Sequence, residues 1–303
     1  MRHLTTYRVI DAVTRTGSIR RAAELLALTP SAVQRRVSAF EDEIGQPVFE
    51  RLATGMRLNA AGELVLHHIR EEFAGIDRLK SRLADLSGVR RGHVTIACSQ
   101  ALAPYFLPAE IAAYRAAYPQ VTFDVRVLDH LAATGAVEDF SVDLALVYGV
   151  DDVPTIDVIA AVRQDIAAVV SRAHPLAARA EVRLRDLLDY PLALPHRSFE
   201  GRRLFDRSMA RKDFTTPPHL ESNSFEFLKA HVACTDAVTI QIPIGAPPPD
   251  AADSAIVSVR IAERDLTPGM LTLRQLKGRT LSVAAARFVD RIRLSLSERF
   301  VPG

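Results

Sequence analysis

Apolar and polar positions follow a helical period through the first third of the chain. Leu4, Tyr7, Ile10 and Val13 recur at three-residue steps and predict a first helix with one apolar face. Gly17 and Ser18 then read as a turn and an N-cap, followed by a short helix over 19–26 in which Ala22 and Ala23 leave room for another helix to cross closely. Ala27 and Leu28 form a tight turn. Thr29 opens the next helix: its hydroxyl can accept a free amide of the first turn, and Pro30 at the first helical position loses nothing by lacking an N–H. Val33, Val37 and Phe40, at i, i+4 and i+7, make the apolar stripe of this helix and leave Ser31, Gln34, Arg35 and Ser38 on the other face.

That outer face is polar yet almost free of acid, and its side chains suit base edges. Arg can pair bidentately with guanine and Gln with adenine, while Ser bonds base or phosphate. Gly45 ends the helix. Two short strand-like runs, 48–51 and 56–58, with Thr54 and Gly55 turning between them, form a wing that places Arg51 and Arg57 where phosphate would lie. Ala22-Ala23, Ser31-Ala32-Val33, Phe40-Glu41, Gly45, Val48-Phe49-Glu50-Arg51 and Leu58-Asn59-Ala60-Ala61-Gly62 together resemble the winged helix-turn-helix of the LysR-type transcriptional regulators. The resemblance implies double-stranded DNA as a partner, with Ser18, Thr29, Pro30, Ser31, Gln34, Arg35, Ser38, Arg51 and Arg57 as the DNA-binding set.

After the wing, Asn59 caps a helix predicted to reach about residue 86. Leu66, Ile69, Phe73, Ile76 and Leu83 make a narrow seam that Lys80 interrupts, with Leu79 and Leu86 beside it. Such a seam wants a partner helix, and in the family the corresponding helix pairs two subunits, which implies a homo-oligomer, dimer or tetramer. The alternative is that the seam packs onto the chain's own C-terminal body. Residues 88–92, with two glycines and two arginines, read as a hinge.

Beyond it, strand-like runs at 93–98, 121–128 and 143–148 alternate with helices at 105–118 and 132–140, an order that argues for a mainly parallel sheet. A second set follows: strand-like 166–171, 184–188, 191–194, 220–222 and 238–242, with helices at 201–211 and 225–234. A strand at 270–274 and a helix at 282–299 close the chain. His174-Pro175-Leu176-Ala177, Leu184-Arg185-Asp186-Leu187, Ile240-Gln241-Ile242-Pro243 and Leu281-Ser282-Val283-Ala284-Ala285 also resemble the family locally, though Cys234-Thr235-Asp236-Ala237 stands where many members have a Gly-containing turn. The expected fold is thus α/β behind a helix-rich winged helix-turn-helix domain. Its parts are a DNA-binding domain at 1–58, a linker helix at 59–87, a hinge at 88–92 and a two-lobed, periplasmic-binding-protein-like effector domain at 93–303. Lobe I takes 93–163 and 268–303, lobe II 164–267.

Composition adds three constraints. The 303 residues are too many for one core, and the 48% hydrophobic content is globular. The net charge of +2 is unevenly spread: residues 1–91 carry 15 Lys+Arg against 11 Asp+Glu, and the remainder 23 against 25. Phosphate attraction therefore belongs to the N-terminal part. Two cysteines, Cys98 and Cys234, fit a reducing compartment and exclude a disulfide scaffold, and no apolar run is long enough to span a membrane, so a cytoplasmic protein is expected.

Ligands of open α/β sheets gather beyond the carboxyl ends of strands. That rule selects Ser99, Gln100 and Ala101, then Asp129 with His130, and Tyr148 with Gly149 in the first lobe, and His196, Arg197, Ser198 and Ser224 in the second. Helix amides after Ser99 and the charge of Arg197 favour a small anionic effector such as a carboxylate, although Asp129 opposes it unless the ligand also carries an amine or hydroxyl. Catalysis is the rival class, but the chain has no GxSxG, HExxH, GxxxxGK[ST] or GxGxxG motif, so no catalytic residue, metal or cofactor is expected. His67 and His68 read as a solvated helix face. A thiol sensor at Cys98 is a second alternative, set against two buried, inert thiols. A solute-binding protein would account for the lobes and leave the first ninety residues unexplained.

Overall fold

The computed structural model describes residues 2–52, 55–86, 91–149, 152–247 and 254–300. The wing turn at Thr54 and most of the expected hinge, 88–90, lie outside them, as does the side chain of Leu86. The chain divides into two compact units, Met1–Asp77 and Arg78–Gly303.

The N-terminal unit contains α1 (Arg2–Thr16), α2 (Ile19–Leu25), α3 (Pro30–Ile44), β1 (Phe49–Leu52), β2 (Gly55–Leu58) and the start of α4 (Ala60–Leu86). Local chemistry sets each boundary. Ser18 accepts the Arg21 amide to start α2, Thr29 accepts the Ala32 amide at 3.3 Å to start α3, and Asn59 accepts the Gly62 amide at 2.8 Å to start α4. Val33, Val37 and Phe40 are buried with Val9, Ile10, Val13, Ala22 and Ala23 in one core. The turn between α2 and α3 closes through the Leu28 amide on the Ala23 carbonyl, with Ala27 at φ +52°, a left-handed backbone that its sequence does not announce.

The seam of α4 is divided. Leu66 and Ile69 are buried, and Val65, Ile69 and Phe73 belong to the core of this same N-terminal unit, whereas Leu79 and Leu83 are more than half exposed. The expected single partner-facing stripe is therefore corrected. Its first part, through Phe73, is taken up by the helix-turn-helix itself, because α1 and α3 present apolar surface there: Tyr7 lies edge-on to Phe40 and Phe73 at 6.1 and 6.5 Å.

The second unit begins with β3 (Gly92–Cys98), α5 (Phe106–Ala117), β4 (Val121–Val127), α6 (His130–Glu138), β5 (Leu144–Tyr148) and β6 (Ile156–Gln164). It continues with β7 (Ala167–Ser171), β8 (Glu181–Val182), β9 (Ala193–Pro195), α7 (Glu200–Ala210), β10 (Leu220–Ser222), α8 (Phe225–Ala233), β11 (Thr239–Gln241) and β12 (Ile256–Ile261). It ends with β13 (Gly269–Leu276) and α9 (Val283–Arg299).

One sheet has the order β4-β3-β5-β13-β6. Its β4, β3 and β5 are parallel, as the βαβαβ pattern predicts, but β13 enters antiparallel between β5 and β6. The second sheet, β11-β7-β12-β8, is antiparallel at its first two pairings, and the parallel pair β9/β10 joins its edge through the Leu192–Val238 bridge. The expectation of a mainly parallel sheet thus holds for three strands only. The chain passes between the sheets twice, from β6 to β7 and from β12 to β13, and strands that carry it across run against the βαβ direction.

Residues 184–188, expected as a strand, form a 3-10 helix over Leu184–Asp189. Apolar positions 184, 187 and 188 have helical spacing, and Asp186 accepts the Arg183 amide at 2.9 Å to close its first turn. The Asp265 carboxylate is nearby and buried, with two bonds from Arg183, one from the Leu184 amide and Lys212 at 3.0 Å, which together hold it well below the usual carboxylate range.

Truncating a fully buried aliphatic side chain costs about 2–5 kcal/mol. Ile69→Ala should lower the unfolding free energy of the N-terminal unit by that amount, read from the urea midpoint of the full chain. A loss under about 1 kcal/mol would place Ile69 outside the core.

Candidate nucleic-acid interface and ligand cleft

On α3 the stripe that faces inward leaves Ser31 and Arg35 exposed and Gln34 and Ser38 half-buried. Gln34 Nε2 donates to Ser38 Oγ at 3.1 Å, and the Thr29 and Ser31 hydroxyls are 3.1 Å apart, so Gln34 and Ser38 are held in a fixed geometry while Arg35 stays extended into solvent. Ser18, Thr29 and Pro30 serve as helix starts, their side chains spent on α2 and α3. Behind the exposed face, Glu41 Oε1 accepts the amides of Val48 and Phe49 at 2.8 and 3.2 Å, which ties the end of α3 to the start of the wing.

The wing packs against the turn after α1. Met56 donates its amide to the Gly17 carbonyl at 2.9 Å, and a Cβ on Gly55 would lie 2.4 Å from that same oxygen. With φ at +134°, position 55 admits glycine alone without displacement. Arg51 is exposed. Arg57 is exposed too, but its Nε lies 2.6 Å from Glu50 Oε1, so part of its charge is already balanced.

In the second unit a cleft of about 540 Å3, its open mouth included, lies between the two sheets. Of the residues expected at a ligand, Ser99, Ala101, Asp129 and Tyr148 line it, together with His130 and Ser198. Ser99 Oγ accepts the Tyr148 amide at 3.1 Å and ties the ends of β3 and β5 together. The Tyr148 phenol donates to the Gln164 carbonyl at 3.2 Å, and burial pushes its pKa above the ordinary phenol range, so it stays protonated. Asp129 caps α6 through the Ala132 amide at 2.9 Å. A Cβ on Gly149 would come within 2.9 Å of the His130 ring, so the loop after β5 can lie against this histidine only because residue 149 has no side chain.

Five expected residues, Gly149 among them, are not in the lining. Gln100 instead links the two sheets, donating Nε2 to the Asn223 carbonyl at 2.8 Å and accepting the Phe225 amide at 3.2 Å. His196 turns back on Ser198 at 3.2 Å, and Ser224 is spent capping α8 through the Phe227 amide. Arg197 is exposed with its Nε 3.8 Å from Asp206, so the side chain that argued for an anionic ligand stands outside the cleft. The lining holds instead Phe199, Glu200 and Gly201 at the start of α7, Phe225 at the start of α8, and Ile240, Gln241 and Ile242 at the end of β11, with Ile166 from the crossing segment. The strand-end rule applied to 238–242 would have found three of these. Nothing in the sequence marks Ile166.

The thiols separate. Cys98 is buried at the end of β3 and desolvation pushes its pKa up to about 12, which keeps it a thiol at neutral pH and opposes a sensor role. Cys234, expected to be buried, is exposed at the end of α8. On α4 the His68 ring lies edge-on to Tyr7 at 6.3 Å. Among the described residues no helix is long and apolar enough to cross a membrane.

Comparison with known proteins agrees with this division. Residues 4–63 match the bacterial regulatory helix-turn-helix protein, lysR family, and residues 87–297 match the LysR substrate binding domain. A probable RuBisCO transcriptional regulator of Synechocystis sp. is 26% identical over 92% of this chain and 79% of its own length. Among solved structures, full-length OxyR from Pseudomonas aeruginosa has a TM-score of 0.69 at 18% identity, covering 96% of this chain and 94% of that one. Full-length CbnR complexed with its target DNA has a TM-score of 0.67 at 18% identity, covering 96% and 99%. With one family match on the helix-turn-helix and another across more than half of the sequence, the chain belongs to the LysR family of bacterial transcriptional regulators.

Proposed function

We propose that the protein is a homodimeric or homotetrameric cytoplasmic regulator that reads promoter DNA with α3 and answers a small molecule held in the cleft between its lobes. The observation that carries the reading is the face of α3: an exposed Arg35 and a fixed Gln34–Ser38 pair, backed by a wing whose Arg51 is exposed. Ser31, Gln34, Arg35 and Ser38 meet base edges, and Arg51 and Arg57 meet phosphate. Ser18, Thr29 and Pro30 act through the helix starts they make, whose amides point toward phosphate oxygens. The solved CbnR–DNA complex supports a DNA-bound state for a chain of this fold.

Two half-sites one or more helical turns apart call for two such faces, and the exposed Leu79 and Leu83 of α4 supply apolar surface for a twin helix. Ligand binding in the cleft changes the closure of the lobes and so the spacing of the paired DNA-binding units, favouring one of two DNA-bound arrangements. The domain limits that go with this reading are 1–58, 59–87, 88–92 and 93–303, with lobe I formed by 93–163 and 268–303 and lobe II by 164–267.

Three measurements test it. Arg35→Ala should cost about 1–3 kcal/mol on the selected site and relax base preference at one position, and an unchanged preference would move the reading face elsewhere. Arg51→Ala should weaken all sequences alike and lower the salt slope of binding by about one, with a smaller change for Arg57→Ala because Glu50 already balances that charge. Leu83→Glu should shift the sedimenting species toward monomer and abolish binding to a paired site while a half-site is still bound weakly. A dimer that survives the charge would overturn the role of this stretch.

A further inference from the structure

In the cleft assigned above to the effector, we propose that the ligand is a small organic cation: an ammonium group carried on a compact apolar or aromatic body. The inference rests on that assignment and gives the ligand its charge. Among the described residues, the cleft is lined by two carboxylates, Asp129 and Glu200, and by no lysine or arginine. The arginines close in sequence are engaged elsewhere. Arg202 is fully buried, with Asp206 at 2.7 Å, Glu221 at 2.7 Å and the Pro195 carbonyl at 2.8 Å, and Arg197 is turned to solvent beside Asp206.

Helix N-termini ordinarily argue the other way, since their free amides attract anions. Here the three helices that start at the cleft, α6, α7 and α8, each carry a carboxylate in the cap or first turn, Glu226 being that of α8. Asp129 is the N-cap of α6, and Glu200 is the first residue of α7. The positive end of each dipole is thus answered by the chain itself, and an incoming carboxylate would meet like charge.

The two acids differ in what they have left to offer. Glu200 is balanced by Arg203 at 2.6 Å and Arg207 at 2.9 Å. Asp129 spends Oδ1 on the Ala132 amide, and its Oδ2 accepts no hydrogen bond among the described residues, so it retains a lone-pair face for a charged donor. Aromatic side chains share the lining: the Phe199 and Phe225 rings lie 5.0 Å apart at 55°, and Tyr148 borders the same space. Aromatic rings with a single open carboxylate are a setting for an ammonium group, attracted by the ring faces and bonded to the oxygen. Leu128, Ile166, Ile240 and Ile242 complete the lining and suit the apolar remainder of such a molecule.

Three probes of nearly equal shape separate charge from body: 2-phenylethylamine, 2-phenylethanol and 3-phenylpropionate, titrated calorimetrically into the full-length protein at pH 7. The amine should bind about tenfold or more tightly than the alcohol, with the carboxylate weakest. Asp129→Asn should remove most of that preference and leave the alcohol within about twofold, since asparagine still caps α6 and the fold is kept. Equal affinity for all three, tighter binding of the carboxylate, or no binding of the amine would overturn the cationic class. Gly201→Leu, which fills the cleft toward Tyr148, separates this failure from that of the cleft itself. If the best-bound probe is the carboxylate and Gly201→Leu abolishes it, the cleft stands and the charge assignment falls. If the best-bound probe is unaffected by Gly201→Leu, both fall.

Discussion

The strand β13 occupies the middle of a sheet whose other strands precede it by more than a hundred residues, and the architecture of the second unit depends on that insertion. Between β5 and β6 it pairs with β6 along its whole length and with β5 from Leu271 to Arg274, with Leu271 and Leu273 fully buried. Because the chain must leave this sheet at the end of β6, build the second sheet and return at β13, two crossings lie side by side. The ends of the strands on either side of them face one another. A cleft at that place follows from connectivity, and Ile166, at the crossing after β6, forms part of its wall.

The same topology explains how chemistry is placed in the cleft. Strand ends supply Ser99, Tyr148 and Ile240 through Ile242, and helix starts supply Asp129, Glu200, Gly201 and Phe225. Side chains at helix starts have their own task of capping amides, and here that task decides which charge the cleft presents. Asp129 brings its carboxylate to the cleft because it closes α6, and Gln100 is absent from the lining because its amide bonds the Asn223 carbonyl and the Phe225 amide. A residue's position at a strand end is therefore a weaker guide to ligand contact than the hydrogen bonds it already makes.

The N-terminal unit obeys a different economy. Its core is built from short helices whose apolar stripes converge, and the wing is held by backbone bonds to Glu41 and to the Gly17 carbonyl. The part of α4 from Val65 to Phe73 completes this core. A helix with a continuous apolar seam is thereby shared between folding its own unit near Ile69 and exposing apolar side chains at Leu79 and Leu83. Period alone does not separate the two uses, because burial against one's own chain and burial against a partner demand the same spacing.

Helix starts at Ser18, Thr29 and Asn59, the stripe of α3, the wing and the three parallel strands of the first sheet were all legible along the chain, since each depends on residues within about one turn or one strand of each other. The strands over 156–164, 181–182 and 256–261 were not, because their pairing partners lie far away in sequence, whereas the 3-10 helix at 184–189 was misread as a strand although its apolar spacing and the Asp186 turn are local. Arg197 looked like a ligand anchor, and Glu200 carried no signal at all. The turn into α7 leaves Arg197 exposed beside Asp206 and sets Glu200 in the cleft wall. Local capping and periodicity are written in neighbouring residues, whereas the direction in which a loop side chain finally points is set by the packing of elements that meet only once the chain has folded.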